Sequence, residues 1–521
     1  MGLASLTSAF SGMEASRIGI EVTGHNIANI NTSGYTRQQM IQADGIYNYS
    51  YGDQNQILSI GTGTSVDSIR QVRNSFLDKE YQTESGRYGF YQAKAQVIDE
   101  LETIFKDIDQ NGFNQSMIDL KNSLNELSKN PDSLEARASF IQASVNFVDK
   151  AEYSWGQIET YQRDLNEEVE NEVKRINTLT KEISELNSQI VLYEISGDNA
   201  NDYRDTRNSK LDELSSLIGI EYKEDKTGSV VVFAEGNLLI SDGFANQIEL
   251  EMIGGNPNFM KPVWADSRTD VFDLSKPVSA ELGNDTGKLK GVLKMRGSAA
   301  ANYSTDPASI EGELIPNLQR DFDILIHDMV TMINDTVAPQ NHMNGPKGLD
   351  GSQYIEIFKR KPVDRYDGSG NYNAENPLAA ETLYSAGNIE VNPELLKNYS
   401  KIPLSVNDDR GDNSLVEKII TTWEEDRLTS DPTGGTKTGY FKYYNEMVSG
   451  IGLEGTQIKS TFRNQEKLLA QIDNQRLRVS AVSMDEELSE MMKYQHAYSA
   501  AAKVASTVDS MIETLIFRLG K

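Results

Sequence analysis

Cysteine is absent from the 521-residue chain. That excludes disulfides, thiolate metal sites and cysteine nucleophiles, and it leaves a polypeptide indifferent to the redox state of the compartments it meets. Long hydrophobic runs are absent too. No stretch of about 18 apolar residues occurs, so no membrane insertion is expected. Residues Met1 to Phe10 lack the basic start and apolar core of a cleaved signal peptide, so an exported chain of this kind needs another route. Basic charge is scarce: 50 Lys and Arg stand against 78 Asp and Glu, for a net charge of -28. This balance opposes phosphate neutralisation and attraction to anionic lipid, so no nucleic acid or membrane partner is expected.

Proline is sparse and clustered, with one of 13 at Pro131 and the other twelve between Pro257 and Pro432. An interior proline removes a helix hydrogen bond, so both ends of the chain are free to form long helices. The N-terminal end carries Leu3, Leu6, Phe10, Met13, Ile20 and Ile27 at a 3,4 spacing interrupted at Arg17. The C-terminal end carries Met484, Leu488, Met491, Tyr498, Ala502, Ala505, Ile512, Leu515, Ile516 and Leu519 at heptad-like spacing, with small residues in "AYSAAAKVAS" that admit a close partner helix. Each pattern is a helix seam in need of cover.

Between the ends, Ile158, Tyr161, Leu165, Val169, Val173, Ile176, Leu179, Ile183, Leu186 and Ile190 stripe a charged, rod-like helix. The spacing predicts further helices over 115–129, 134–151, 205–218, 312–335 and 457–481. In "GSVVVFAEGNLLISDG" two apolar runs flank Glu235-Gly236-Asn237, a β-hairpin signal. The expected fold is mainly α with a β-rich insert. Residues 1–40 with 483–521 form a coiled-coil-like inner domain of terminal helices. A long-helix rod domain takes 41–220 with 301–345 and 440–482, and a β-rich outer domain takes 221–300. Residues 346–439 read as an irregular or β segment of open domain membership.

Candidate chemistry does not accumulate. "GTGTS" at 61–65 and "GGNP" at 254–257 lack the Lys of a phosphate loop and read as turns. Asp107, Asp109, Asn111 and Gly112 match early positions of a calcium loop, but Ile118 stands where a bidentate Glu is needed. That segment reads as a loop leading into a helix capped near Asn114 or Ser116. His25, His327, His342 and His496 have no metal-ligand spacing, and no Gly-x-Ser-x-Gly elbow supports a hydrolase. His327 reads as a satisfied, partly buried imidazole, and Arg410-Gly411-Asp412 as an ordinary turn. Neither an enzyme nor a metal or cofactor is expected.

"NIANINTSGYTRQQ", residues 26–39, holds no nucleophile with a base, yet Asn, Gly and Thr are the residues that end a helix and turn a chain. The run from Asn26 to Tyr35 meets every position of Asn-Ile-Ala-Asn-x-Asn-Thr-x-Gly-Tyr, and it resembles the N-terminal signature of the flagellar rod, hook and hook-associated proteins. Tyr-Thr-Arg-Gln, 35–38, resembles the hook-associated members more than the rod and hook members, which commonly continue with Lys. Asp-Glu-Glu at 485–487 and Tyr-Gln-x-Ala-Tyr at 494–498 resemble the same family's closing signature. The likeness covers roughly 1–220 and 440–521 well and 312–335 fairly.

The resemblance implies a structural protein that self-assembles as a ring joining hook to filament. It further implies export unfolded through the flagellar type III apparatus and an extracellular place in the flagellum. The implied partners are further copies of itself, the hook protein, the next junction protein or filament, and a cytoplasmic export chaperone on the C-terminal helix. Alternatives are a hook or distal rod protein of the same family, or a secreted surface adhesin. The expected assembly motif is Asn26, Ile27, Ala28, Asn29, Asn31, Thr32, Gly34, Tyr35, Arg37 and Gln38. It should stop the first helix near Asn29 and aim Tyr35, Arg37 and Gln38 into an extended segment at the subunit contact.

Overall fold

The first apolar stripe forms one helix, α1 (Gly2–Ala28), in a computed structural model that describes residues 2–51, 57–105, 112–195, 197–254, 259–341, 345–367, 369–406, 409–429 and 435–519. Four strands follow: β1 (Gln38–Asp44), β2 (Tyr47–Tyr51), β3 (Ile57–Gly61) and β4 (Thr64–Gln71). β1 pairs antiparallel with β4, with a bulge between Ile41 and Gln42, and β2 pairs with β3 as a hairpin between them. The chain then enters four helices, α2 (Ser75–Phe105), α3 (Phe113–Lys129), α4 (Leu134–Glu194) and α5 (Asn201–Leu217).

α4 is 61 residues long, about 90 Å at 1.5 Å per residue. It joins the expected helix 134–151 to the rod helix without a break. Gly156 costs the helix only about 1 kcal/mol, and burial of Ala151, Ser154 and Ile158 along one face outweighs it. The Ser133 hydroxyl caps the start by accepting from Ala136 N at 3.3 Å. α3 is not capped as expected: Gly112 occupies the N-cap with no side-chain bond, and Ser116 donates to Phe113 O inside the helix at 2.7 Å.

The insert is an antiparallel meander of β5 (Ile220–Glu224), β6 (Val230–Ala234), β7 (Asn237–Ser241) and β8 (Phe244–Ala245). Beside it lies the pair β9 (Ile248–Met252) and β10 (Met260–Trp264). Glu235 and Gly236 form the turn between β6 and β7, at φ 48 and 81. Positive φ at both central residues gives the turn the twist that antiparallel strands need. Val230, Val232, Ala234, Leu239 and Ile240 are buried and join the core that includes α4. Residues 221–300 are not strand throughout, because α6 (Lys288–Arg296) packs its buried face on α2 and α4.

α7 (Leu314–Val337) is buried along most of its length. The expected irregular segment holds a short antiparallel pair, β11 (Phe358–Arg360) with β12 (Ile389–Val391), and two helices, α8 (Pro393–Lys397) and α9 (Ser414–Glu424). Its Ile357, Phe358, Tyr384, Ile389, Leu395 and Trp423 belong to the same continuous core as α2, α3, α4 and α7. α10 (Tyr440–Ser480) begins well before the expected residue 457, because Tyr440, Tyr443, Tyr444, Met447 and Ile451 are buried at helical spacing. α11 (Met484–Leu519) closes the chain and packs on α1. Among the described residues, neither α1 nor α11 contributes to the continuous core of the body.

Candidate assembly joint

α1 and α11 run antiparallel, since a Cβ at Gly12 would lie 3.7 Å from Ala501, one at Gly19 2.7 Å from the Tyr494 ring and one at Gly24 3.9 Å from Met491. The small face of α1 therefore approaches α11: Ala9, Ala15, Val22 and Asn26 are buried. Missing side chains let the helix axes come close, which larger residues forbid. On α11 the contact follows Glu487, Met491, Tyr494, Ala501 and Val508, a heptad pattern offset from the expected one.

The expected seam residues divide accordingly. Leu6, Met13, Ile20, Met491, Ala502, Ala505 and Ile512 are half-buried, while Met484, Leu488 and Tyr498 are more open, at 40%, 45% and 37% exposed. Phe10 is 56% exposed and Ile516 66%. The side chains of Leu3, Leu515 and Leu519 lie outside the described residues. Part of the expected apolar stripe thus faces away from the partner helix within the chain.

The stretch after α1 is tied down at both ends. Asn29 N bonds back to His25 O at 3.1 Å, Asn29 Nδ2 reaches the same carbonyl at 3.0 Å, and Thr32 Oγ1 donates to Asn29 Oδ1 at 3.1 Å. Gly34 turns the chain at φ 79, a conformation that costs a Cβ-bearing residue. Asn31 is exposed at the tip, Ile27 is half-buried and Ala28 is exposed.

Asn26 is 1% exposed and uses its whole amide. Its Nδ2 donates to Gln38 O and to Glu487 Oε2, each at 2.9 Å. Its Oδ1 accepts from Tyr35 Oη at 2.8 Å and from Gln38 N at 3.0 Å. Glu487 is equally buried, and its other oxygen accepts from Arg37 Nε at 2.7 Å. Arg37 N donates to Ser480 O at 2.9 Å, and Val72 N donates to Arg37 O at 2.8 Å. These bonds fasten the end of α1, the start of β1, the first turn of α11 and the turn after α10. A buried carboxylate without such partners costs several kcal/mol.

The other side of the joint rests on α5. Asp205 accepts from Thr36 N at 3.1 Å and from Gln71 Nε2 at 2.7 Å. Burial pushes its carboxyl up to about 6, against the pull of those donors and of Arg73. Tyr35 is raised well above the usual phenol range, first by burial and then by Asp205, Asp202 and Glu487. Its hydroxyl stays protonated and donates to Asn26, while His25 Nδ1 lies 3.0 Å away.

Sequence reasoning placed the motif and missed Glu487, Asp205 and His25 as its partners. Glu487 had a signal, an acid in a helix position whose neighbours four and seven residues on are Met and Tyr. Asp205 had none. Tyr35 and Arg37 lead into the extended strand that starts at Gln38, and Asn26, Tyr35 and Arg37 also bond within the chain, so the motif fastens parts of one subunit.

The other candidates resolve into structure. His327 Nε2 lies 3.1 Å from Glu375 Oε2, and its ring stacks on Tyr303 at 3.7 Å. Asp412 accepts from Val406 N at 2.9 Å and Ser414 N at 3.0 Å, holding a loop before α9. Gly63 sits against α1, where a Cβ would come 1.9 Å from Ser11 Oγ. Asp107, Asp109, Asn111, His342 and most of "GGNP" lie outside the described residues. Among the described residues no group of three or more His, Asp or Glu is placed to hold a metal ion, and no helix is long and apolar enough to cross a membrane.

Comparison with known proteins agrees along the chain. Residues 98–350 match the model of the flagellar hook-associated protein FlgK helical domain. Residues 6–36 match that of the flagella basal body rod protein, and 473–517 that of the flagellar basal body rod FlgEFG protein C-terminal region. Flagellar hook-associated protein 1 of Bacillus subtilis is 26% identical over 99% of both chains. That of Escherichia coli K12 is 21% identical over 98% of this chain and 99% of its own. The flagellar hook junction protein FlgK from Burkholderia pseudomallei shares the fold, with a TM-score of 0.58 at 11% identity over 78% of this chain and 100% of that one.

Proposed function

Because the chain belongs to the family of flagellar rod, hook and hook-associated proteins, we propose that it is a structural subunit of the flagellar axial assembly at the junction of hook and filament. The observation that carries this reading is the uncovered apolar surface of the terminal helix pair. Met492 is 55% exposed, Met511 62%, Ile516 66% and Phe517 71% on α11, and Phe10 is 56% exposed on α1. Burying one such side chain stabilises by roughly 1.5 to 3 kcal/mol. A pair that takes no share in the body's core gains this only from other subunits, so assembly supplies what the isolated pair lacks.

In this reading the terminal pair packs against the same pair of neighbouring copies, and the joint at Asn26 sets its direction relative to the body. The remaining partners are the hook protein below and the next junction protein or filament above. Export proceeds without disulfides to form or break, through the flagellar type III apparatus, and a cytoplasmic chaperone covers the exposed face of α11 until then. The place of action is the extracellular part of the flagellum.

The test is to insert a short epitope in the exposed turn at Asp242-Gly243, between β7 and β8, and to image isolated hooks and hook-filament complexes with a gold-labelled antibody. Label concentrated at the distal end of hooks is expected. Label along the whole hook, or none on it, overturns the junction assignment.

A further inference from the structure

The loop between α4 and α5 is fixed to β4 by two bonds, Asn199 Nδ2 to Ile69 O at 3.0 Å and Asn201 Nδ2 to the same oxygen at 2.9 Å. Those asparagines form a wall with a hollow on each side. One hollow, of about 700 Å³, opens between α1 and the α4–α5 corner, and Glu21, Asp198 and Asp202 line it. The other, of about 520 Å³, is lined by Arg70, Lys79 and Lys223. Ile69 lines the first and Arg70 the second, as neighbours on a strand point to opposite faces. Asp202 lines the first and Arg204 the second, two positions or about 200° apart on a helix. The hollows therefore open in opposite directions.

Their charges are opposed as well. Arg70, Lys79 and Lys223 are exposed, and among the described residues none has an acidic side chain in ion-pair range. Arg204, by contrast, is held by Glu194 and Glu224. Across the wall, Asp198 and Asp202 are exposed, and Asp202 receives only a 3.4 Å bond from Gln38. Beside them stands apolar surface, with Leu192 74% exposed, Ile195 78% and Tyr203 41%. In a chain of net charge -28, three cations without an ion pair around one hollow, Lys79 lying 5.8 Å from the Tyr222 ring, run against the general balance, and the acidic hollow of another copy supplies their complement.

We infer that the acidic hollow beside α1 of one copy receives the basic face around Arg70, Lys79 and Lys223 of the next, in a head-to-tail contact between subunits. Complementary patches on opposite sides of one protomer generate rings or helices, whereas a self-complementary patch closes a dimer. Exposed Leu192, Ile195 and Tyr203 become the apolar part of that contact, and the charges set its register. The assignment rests on the reading that copies stand side by side, and it names the surfaces that touch.

Charge reversal tests it in the full chain. Arg70→Glu with Lys223→Glu reverses one face, Asp198→Lys with Asp202→Lys the other, and the four together reverse both. Self-association by sedimentation at high protein concentration and addition to isolated hooks are the two measurements. Each pair alone is expected to weaken association at least about tenfold, and all four together to restore most of it. Raising salt is expected to weaken the native contact. Asp198→Asn with Asp202→Asn, a milder pair, should fall between native and reversed. Native association by either reversed pair, or no recovery in a combined variant with a native circular dichroism spectrum and melting curve, overturns the assignment. If the native chain and both reversed pairs add equally well to hooks, the surface assignment fails and the junction function stands. If the native chain self-associates with the expected charge pattern but never binds hooks, the junction function fails and the surface assignment stands.

Discussion

Asn26→Asp exchanges one NH2 for an oxygen at the most connected point of the joint. In the native chain that NH2 donates to Glu487 Oε2 and to Gln38 O, both at 2.9 Å. The new carboxylate keeps the acceptor used by Tyr35 and Gln38 N, but it sets an oxygen against two acceptors, one of them charged. Two like charges about 3 Å apart repel by roughly 5 kcal/mol at an effective dielectric of 20, and Arg37 on the far oxygen of Glu487 offsets part of this. Leaving Gln38 O without a donor costs a further 1 to 3 kcal/mol or so. A net local cost of about 3 to 5 kcal/mol is expected at pH 7.

Hydrogen exchange of the full chain, corrected for intrinsic rates, reads this locally. Protection in peptides covering 26–38 and 484–490 should fall roughly a hundredfold or more, while α4 and α7 keep theirs. Two carboxylates sharing one site push one folded pKa above its unfolded value. The variant is therefore most nearly native below about pH 4 and loses protection as pH rises through the raised value. Adding Glu487→Gln supplies a donor in place of the charge and should recover most of the protection at pH 7. Native protection in Asn26→Asp at pH 7, or a loss that Glu487→Gln does not relieve, refutes the reasoning.

Gly34→Ala meets no close atom, the nearest being Ser209 at 3.8 Å, so only the positive φ of 79 opposes it; a loss of about 1 kcal/mol confined to the joint is expected by hydrogen exchange. Gly89→Ala sets a Cβ 2.1 Å from the backbone carbonyl of Ser216, where α2 meets α5. It should destabilise the body by about 3 kcal/mol and lower its melting temperature measurably in calorimetry, despite better helix propensity. Asp205 has a folded pKa of about 6, above its ordinary 3.8. Its contribution to stability is full below about pH 4 and is lost as pH rises to about 6, and Asp205→Asn should flatten that slope in exchange of residues 35–38.

The helices of the body were legible where one apolar face repeats without interruption, as at Ile158 to Ile190, and the β6–β7 turn was legible in Glu235-Gly236. Continuity of α4 through Gly156 was not, because a local breaker is overruled by burial that only the neighbouring helices provide. Residues 346–439 gave turn signals and little periodicity, yet Tyr384, Ile389 and Trp423 join the main core. Their packing depends on α3, α4 and α7, which lie far away in sequence. The motif at Asn26 to Gln38 stood out, but its intrachain partners Glu487 and Asp205 did not. An assembly joint was expected, and within the chain its Asn26 and Thr36 are buried while Asn31, Thr32 and Gly34 are exposed.

Local chemistry determined the helical ends, the turn that needs Gly34, the hairpin and the redox indifference of a chain without cysteine, because each depends on neighbouring residues alone. Tertiary structure decided which face of α1 is covered. Close approach to α11 selects Gly19, where a Cβ would come 2.7 Å from the Tyr494 ring, and small buried residues such as Ala9 and Ala15, while Phe10 faces outward. It also decided that Asn26 meets Glu487, 461 positions along the chain. No periodicity encodes that meeting; the antiparallel packing of the two terminal helices does.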